Sequence, residues 1–398
     1  MTLRWPAVWI LGAGQTVFWG IAYYTFSVLL VPMREEFGVS SAVIAGAFSV
    51  GLGVAAMVAT HVGRWVDEGH GVVLMRCGAW VGGALLLAWS AATDVVMLYA
   101  VWAALGACMA LILYETAFAL VTRALADPQR RLSALASVTV MGGLASTLFL
   151  PLAGAATTHW GWRATLRALA VVWFLAALVV DRFALRALRA AESHAMGQPR
   201  SASVSLPDAR LVALAGLPFV ATTFAAMALT TLVIPMLVDH GQPLERAAWV
   251  LSAFGVMQLP GRLWLWRGTR AVPASVLLVA PVLLQAAGLA VLAVSSHLVV
   301  AFVGVATFGI GAGLHTLARP WLVPHLFGVS AAGRVNGAIA RAQGIARAAG
   351  PFCVAIAYER VGSASVFAVL AFLLAVLWPL ASWMARRASS HKASVPAT

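Results

Sequence analysis

The stretch VMLYAVWAALGACMALILYETAFALVT, Val96 to Thr122, carries a single charged residue, Glu115, in 27 positions. A helix needs about 20 apolar residues to cross the hydrocarbon core of a bilayer. Uncharged runs of this length are typical of membrane-spanning helices rather than of buried helices in soluble proteins. The stretch therefore predicts a transmembrane helix.

Eleven further apolar stretches of similar length occur along the chain. Together the predicted spans are 8–32, 41–63, 73–93, 96–122, 132–157, 164–185, 209–238, 246–266, 272–295, 298–323, 334–357 and 362–385. The chain is 62% hydrophobic and 10% charged over 398 residues, whereas soluble domains carry about 25% charged residues. These features predict an all-α integral membrane protein with twelve transmembrane helices.

The spans form two groups of six, separated by one long polar segment. We predict an N-terminal half over 1–185, a cytoplasmic linker over 186–208 and a C-terminal half over 209–398 with a short cytoplasmic tail. The halves match at a shift of 203 residues: Val31-Pro32-Met33 with Ile234-Pro235-Met236, Gly38 with Gly241, Gly106 with Gly309, and Arg131 with Arg334. Parallel six-helix repeats are a transporter architecture. The repeat therefore predicts two pseudo-symmetric six-helix bundles.

The basic residues indicate the orientation of the chain. With the N-terminus in the cytoplasm, eighteen Lys and Arg residues lie in cytoplasmic segments and four in outer loops. Cytoplasmic loops of membrane proteins carry such an excess. We therefore expect a multi-pass protein of a bacterial inner membrane with both termini cytoplasmic. The net charge of +13 then reflects topology, and we expect no nucleic-acid partner.

The loop after the second predicted span reads Gly63-Arg-Trp-Val-Asp67-Glu-Gly-His-Gly71. It resembles the signature loop of the major facilitator superfamily, and the resemblance extends over essentially the whole chain. Glu68 stands where the family has a basic residue, and Gly71 comes one place late. The resemblance implies that Asp67 docks at the cytoplasmic start of the eleventh helix. Gly63, Asp67 and Gly71 are thus structural or gating residues by resemblance.

Two further runs look like a bacterial subgroup close to the monocarboxylate porters. They are Tyr114-Glu-Thr-Ala-Phe118 and the fifth-span run Gly142-Gly-Leu-Ala-Ser-Thr-Leu-Phe-Leu-Pro151. This resemblance implies a secondary transporter for small organic acids.

Polar residues in the second half are candidates for substrate binding. Asn336, Gln343 and Arg347 lie within about 40° of one another on a helix and form one polar stripe. A guanidinium suits a carboxylate because it offers paired donors. The alternative role for Arg347 is structural, capping carbonyls or pairing with an acid. His315 and Arg319 lie four residues apart. His315 is a candidate for substrate binding or proton coupling, or else a packed histidine, and Arg319 is a gate residue or a snorkelling surface charge.

Candidates in other spans line up at helical spacing. Gln15, Trp19 and Tyr23 in the first span, and Thr223, Met227 and Thr230 in the seventh, are typical of pocket walls, although such stripes also occur in ordinary packing. For Arg341, which lies off the polar stripe, we expect a structural ion pair.

Glu115 is the only acidic residue predicted to lie deep in a span. A buried carboxylate can carry a proton, and it can equally pair with Arg341 or Arg319. These two interpretations remain open.

The sequence lacks the residues that nucleotide-binding, metal-binding or catalytic sites require. The only lysine, Lys392, is in the C-terminal tail, which excludes a P-loop nucleotide site, and Cys77, Cys108 and Cys353 have no metal-ligand spacing. We find no catalytic cluster and expect no enzyme activity, cofactor or metal. The chain is expected to act as a monomer that moves a small anionic substrate through the lipid bilayer by alternating access, coupled to protons. The alternative is a proton-driven exporter of drugs or toxic compounds.

Overall fold

The computed structural model describes residues 5–125, 127–192, 208–260 and 274–393. The chain divides into two compact units, Met1–Pro199 with Pro243–Ser252, and Arg200–Gln242 with Ala253–Thr398. Of the predicted linker, Arg186–Glu192 is helical, and 193–207 lies outside the described residues.

Helices account for the regular structure of the first unit. Span 1 is Trp5–Phe37, span 2 is Ser41–Asp67, span 3 is Gly71–Ser90 and span 4 is Val95–Ala124. Spans 5 and 6 share one long helical run, Gln129–Ala191. Gly161 separates them, because its backbone leaves the helical region with φ 74° and ψ 161°. A positive φ favours glycine, so this residue makes the turn between the two spans.

The second unit repeats this plan. Span 7 is Ala209–Asp239, span 9 is Ala274–Val294 and span 10 is Leu298–Phe327. Span 8 begins with Leu244–Val256, of which the residues up to Ser252 group with the first unit and the rest with the second. Spans 11 and 12 lie in the run Val329–Val376, and a further helix covers Trp378–Ala393.

Gly362 separates spans 11 and 12, with φ 76° and ψ 166°. Residues 261–266 of predicted span 8 lie outside the described residues. In the described ranges nine helices are long and apolar enough to cross a membrane. Two of the nine, Gln129–Ala191 and Arg334–Ala388, hold two spans each, which makes eleven, and span 8 is described in part. The predicted all-α, twelve-helix class is confirmed.

Glycines explain how closely the spans pack within each unit. A Cβ atom on Gly106 of span 4 would overlap the backbone carbonyl of Gly51 in span 2. At the equivalent place in the second unit, a Cβ on Gly309 would lie 2.9 Å from the carbonyl oxygen of Phe254. The absent side chains let the helices approach closely, as is usual between transmembrane helices. The matched glycines of the predicted repeat therefore have the same packing role.

At least three helices of the first unit are irregular, which the apolar pattern did not predict. Span 6 contains a π-helical segment, Val180–Leu185. Span 1 contains a π-helical segment, Gly20–Tyr24, where Thr25 Oγ1 donates to Gly20 O at 3.0 Å. Span 4 breaks at Leu113, whose backbone is extended with φ −80° and ψ −167°. Its two parts are Val95–Ile112 and Tyr114–Ala124. Such interruptions inside helices are frequent at functional sites.

Arg163 forms hydrogen bonds to several helix ends at the predicted outer end of the first unit. Its guanidinium donates to Glu36 Oε1 at 2.7 Å and 2.9 Å, to Ser90 O at 2.8 Å and to Ala92 O at 2.6 Å. The guanidinium also lies 4.3 Å from the ring centre of Trp162. One side chain thus ties together the ends of spans 1, 3 and 6.

The second unit has a different polar contact at the equivalent place. Asp239, which is 203 residues after Glu36, accepts a hydrogen bond from the Tyr358 hydroxyl at 2.6 Å. Each unit thus has an acidic residue at the end of its first helix, Glu36 or Asp239. Glu36 binds an arginine, and Asp239 binds a tyrosine hydroxyl.

Candidate functional site

A polar network joins spans 7, 10 and 11 inside the second unit. Arg319 Nη1 donates to Gln343 Oε1 at 2.5 Å. Gln343 Nε2 donates to Thr223 Oγ1 at 2.8 Å and to Phe219 O at 3.2 Å. Both amide hydrogens are therefore used inside the protein. Gln343 thus orients the guanidinium of Arg319, and its role in substrate binding stays a prediction.

His315 belongs to the same region of the second unit. Its Nε2 atom lies 2.9 Å from Thr222 Oγ1, and its ring centre lies 4.8 Å from that of Phe219. The Thr222 hydroxyl also lies 2.7 Å from Pro218 O, to which it can donate. The direction of the bond between Thr222 and His315 depends on which imidazole nitrogen carries the proton. His315 is therefore a hydrogen-bonded histidine.

The other arginines of span 11 differ from Arg319. Arg347 is half-buried, and it makes no hydrogen bond or ion pair with any residue in the described part of the chain. It follows Gln343 by four residues and so lies on the same face one turn later. Arg341 is exposed, and the structural pairing expected for it is not found among the described residues. Asn336 is half-buried and likewise forms no such bond with them.

The predicted wall of span 7 is partly a packing surface. Met227 is buried, and a Cβ atom on Gly350 of span 11 would lie 2.5 Å from Met227 Cβ. Thr230 is also buried, and its hydroxyl donates to Ala226 O of its own helix at 3.0 Å. Of the three predicted wall residues, only Thr223 joins the polar network.

An aromatic surface occupies the corresponding place in the first unit. The ring centre of Trp19 lies 5.2 Å from that of Tyr23 and 5.1 Å from that of Tyr114. Tyr114 stacks on Phe118 at 4.9 Å, and Tyr23 packs against Phe48 at 5.4 Å. These rings come from spans 1, 2 and 4 and surround the π-helical segment and the helix break.

Two buried polar atoms on this surface lack partners among the described residues. Gln15 is fully buried; its Nε2 donates to Ile112 O at 2.7 Å, while its Oε1 makes no hydrogen bond. The break at Leu113 frees the Ile112 carbonyl, so Gln15 satisfies it. Trp19 Nε1 is also buried without an acceptor. Buried polar groups are nearly always hydrogen-bonded, so this unsatisfied acceptor and donor, four residues apart, are candidate contacts for a ligand or an ordered water.

The structure places Glu115 differently from the sequence prediction. The helix breaks at Leu113, so Glu115 lies in the first turn of a new segment and not within a continuous helix. Its side chain is exposed, and it forms no ion pair with the described residues of its own unit. A carboxylate in the first turn of a helix is favoured by the helix dipole.

The signature loop shows which of its glycines makes the turn. Gly69 has φ 91°, while Gly71 is the buried first residue of span 3. A Cβ atom on Gly71 would lie 2.8 Å from Leu120 Cδ2, so this glycine is needed for packing. Gly63 is exposed within span 2 and has open space around it. Asp67 ends span 2, and its carbonyl accepts from Arg123 Nη1 at 2.9 Å.

The sequence analysis missed several polar contacts. Arg76 Nε of span 3 donates to Asp181 Oδ1 of span 6 at 2.7 Å. Arg163 and Arg123 entered the sequence analysis only among the basic residues that indicate the orientation of the chain. Asp181 is acidic and lies inside an apolar run, and that was the available signal. Its partner could not be identified from helical periodicity.

Comparison with known families and structures gives a consistent result. The family model described as Major Facilitator Superfamily matches residues 12–351. A bacterial homologue of the human lysosomal transporter Spinster, in an inward-facing, unoccupied conformation, aligns with a TM-score of 0.70 and 12% identity, covering 97% of this chain and 98% of that chain. The peptide transporter POT in complex with alafosfalin aligns with a TM-score of 0.71 and 13% identity, covering 95% of both chains. Comparison with curated protein sequences found no match.

Proposed function

The chain belongs to the major facilitator superfamily, and on that premise we propose that it is a proton-coupled secondary transporter of a small organic anion. We further propose that it is a monomer in a bacterial inner membrane, with both termini cytoplasmic, and that it works by alternating access. The resemblance to monocarboxylate porters makes a monocarboxylate the first substrate class to test.

The oriented guanidinium of Arg319 carries this proposal. Gln343 holds it from one side through a hydrogen bond of 2.5 Å, and Thr223 and Phe219 in turn hold Gln343. A guanidinium fixed in this way loses little freedom when it binds a planar carboxylate. An anion would therefore find a donor that is already oriented.

Arg347 also favours a negatively charged substrate. It is half-buried one turn from Gln343 and has no counter-charge among the described residues. Charged groups inside a membrane are costly unless they are paired or functional. An anionic substrate would supply the missing negative charge.

For the proton, two carriers remain in the proposal. His315 is held by Thr222 through Nε2, and an imidazole can take up and release a proton. Glu115 is exposed beside the aromatic surface of the first unit. In proteoliposomes containing a pH-sensitive dye, His315→Gln or Glu115→Gln should uncouple substrate movement from acidification. Coupling that survives in both variants would contradict a proton role for either residue.

The decisive experiment compares arginine variants in two assays. Thermal stabilisation by a monocarboxylate panel at two pH values identifies a ligand, and counterflow in proteoliposomes measures transport of that ligand. Hydrogen bonds to charged groups contribute about 1.5–3 kcal/mol, so Arg319→Gln and Arg347→Gln should each weaken binding by at least about tenfold. Arg360→Gln, which removes an exposed arginine, is the matched control. Unchanged affinity in both test variants would refute the anion site.

A specific observation favours the alternative, a proton-driven exporter. The aromatic surface around Trp19 and the exposed carboxylate of Glu115 together suit a hydrophobic cation. Stabilisation by tetraphenylphosphonium, lost in Glu115→Gln and retained in Arg319→Gln, would favour export of such compounds. Stabilisation by monocarboxylates, with the opposite dependence on the two variants, would favour the first proposal.

A further inference from the structure

The exposed face of span 6 is apolar along most of its length. Its exposed residues are Val171, Val172, Leu175, Leu178 and Val179. The opposite face is buried in the unit and includes Trp173, whose Nε1 donates to Ala79 O at 2.6 Å. In a membrane protein an exposed apolar face of this kind contacts lipid tails.

Toward its C-terminal end, the exposed side of this helix carries basic residues instead of apolar ones. Arg182, Arg186 and Arg189 are all exposed, and they follow the exposed Leu175 and Leu178 along the same run of helix. This run is π-helical over Val180–Leu185 and α-helical over Arg186–Glu192. The three arginines therefore form a basic stripe that continues the exposed apolar surface.

Contacts with the rest of the unit fix the orientation of this stripe. Ala184, Leu185 and Leu188 are buried, so the helix presents the arginines outward. Asp181, the acid next to the stripe in sequence, pairs with Arg76 at 2.7 Å. None of the three arginines forms a hydrogen bond or ion pair with the described residues.

Phe183 marks the depth of the stripe. Its side chain is 57% exposed between the apolar residues and the last two arginines. Aromatic and basic side chains at the end of an apolar face are typical of the level of lipid headgroups.

We propose that Arg182, Arg186 and Arg189 form a binding site for the phosphate of an anionic phospholipid headgroup. The occupant is a lipid and not a free anion, because the stripe continues the apolar surface on which the acyl chains of that lipid would lie. The site is separate from the transport network of the second unit and does not depend on the proposed substrate.

Native mass spectrometry of the purified full chain tests the site with an equimolar mixture of phosphatidylglycerol and phosphatidylcholine. Each arginine near an anionic leaflet strengthens binding by about fivefold. The wild type should retain phosphatidylglycerol preferentially, and R182Q/R186Q/R189Q should lose that preference. R167Q/R246Q/R360Q removes three exposed arginines elsewhere and should keep it.

Equal preference in the wild type and the test variant would overturn the proposal. Displacement of phosphatidylglycerol by inorganic phosphate at the same concentration would overturn the assignment to lipid. If the triple variant does not fold, Arg186→Gln alone should lower the preference about fivefold, and no change in that variant would count against the site.

Discussion

Span 1 and span 7 occupy equivalent places in the two units, yet they present different chemistry. Trp19 lies in span 1, and Thr222 lies 203 residues later in span 7. Trp19 borders a π-helical segment and a surface of stacked rings. Thr222 lies in an uninterrupted helix and holds His315. The aromatic surface is built on irregular backbone, and the polar network on regular backbone.

Span 4 and span 10 differ in the same way. Span 4 breaks at Leu113, next to Ile112, whose carbonyl needs the amide of Gln15. Span 10 is helical through His315, the residue 203 positions after Ile112. In the first unit the polar side chain of Gln15 bonds to the backbone at this break. In the second unit the helix is unbroken here, and polar side chains bond to one another.

The largest effect should come from the glycines at the closest helix approaches. Gly106→Ala places a Cβ atom against the backbone carbonyl of Gly51, which cannot move aside as a side chain could. We expect a loss of about 3 kcal/mol, and about 1 kcal/mol for Gly309→Ala, where the gap is 2.9 Å. Thermal denaturation in detergent measures both. Equal losses would show that the two units are packed alike, contrary to the distances.

The polar contacts at the predicted outer ends should give the next largest difference. Arg163→Ala removes hydrogen bonds to Glu36, Ser90 and Ala92 and leaves the Glu36 carboxylate without its cation. We expect this variant to lose about 2 kcal/mol, against about 1 kcal/mol for Tyr358→Phe, which removes one hydrogen bond to Asp239. The midpoint of thermal unfolding checks the order. A larger effect in Tyr358→Phe would reverse our ranking of the two contacts.

The smallest effects on stability should come from Trp19→Phe and Thr222→Val, each about 1 kcal/mol. Trp19→Phe removes an indole N–H that has no acceptor among the described residues, so its cost comes from lost ring contact with Tyr23 and Tyr114. Thr222→Val, its counterpart, removes the partner of His315. If a ligand uses the indole, Trp19→Phe will also lower ligand-induced stabilisation. Unchanged ligand-induced stabilisation in Trp19→Phe would show that the indole N–H is not a ligand contact.

Much of the fold could be predicted because a bilayer requires each spanning segment to be long and apolar, and this can be seen along the sequence. Turn glycines such as Gly38 and Gly241 also recur at the repeat shift. The break at Leu113 could not be predicted in this way, since neither proline nor glycine occurs between Ala107 and Leu125. The break depends on Gln15, which is 97 residues away from Ile112. A local pattern cannot contain such a contact.

The polar residues were predicted better as a face than as partners. Helical angles placed Gln343 and Arg347 on one stripe, which indicates a shared direction. They could not show that the amide of Gln343 is committed to Arg319, because that contact depends on how two helices are aligned in register. The expected roles of the remaining candidates stay predictions until the variants are measured.

The corners at Gly161 and Gly362 have a mechanical consequence. One residue in each joins two helices, with no slack of loop between them. A displacement of span 5 along its axis must therefore be transmitted to span 6, and a displacement of span 11 to span 12. The two helices of each pair are therefore expected to move together along their axes, while the angle between them can change at the glycine.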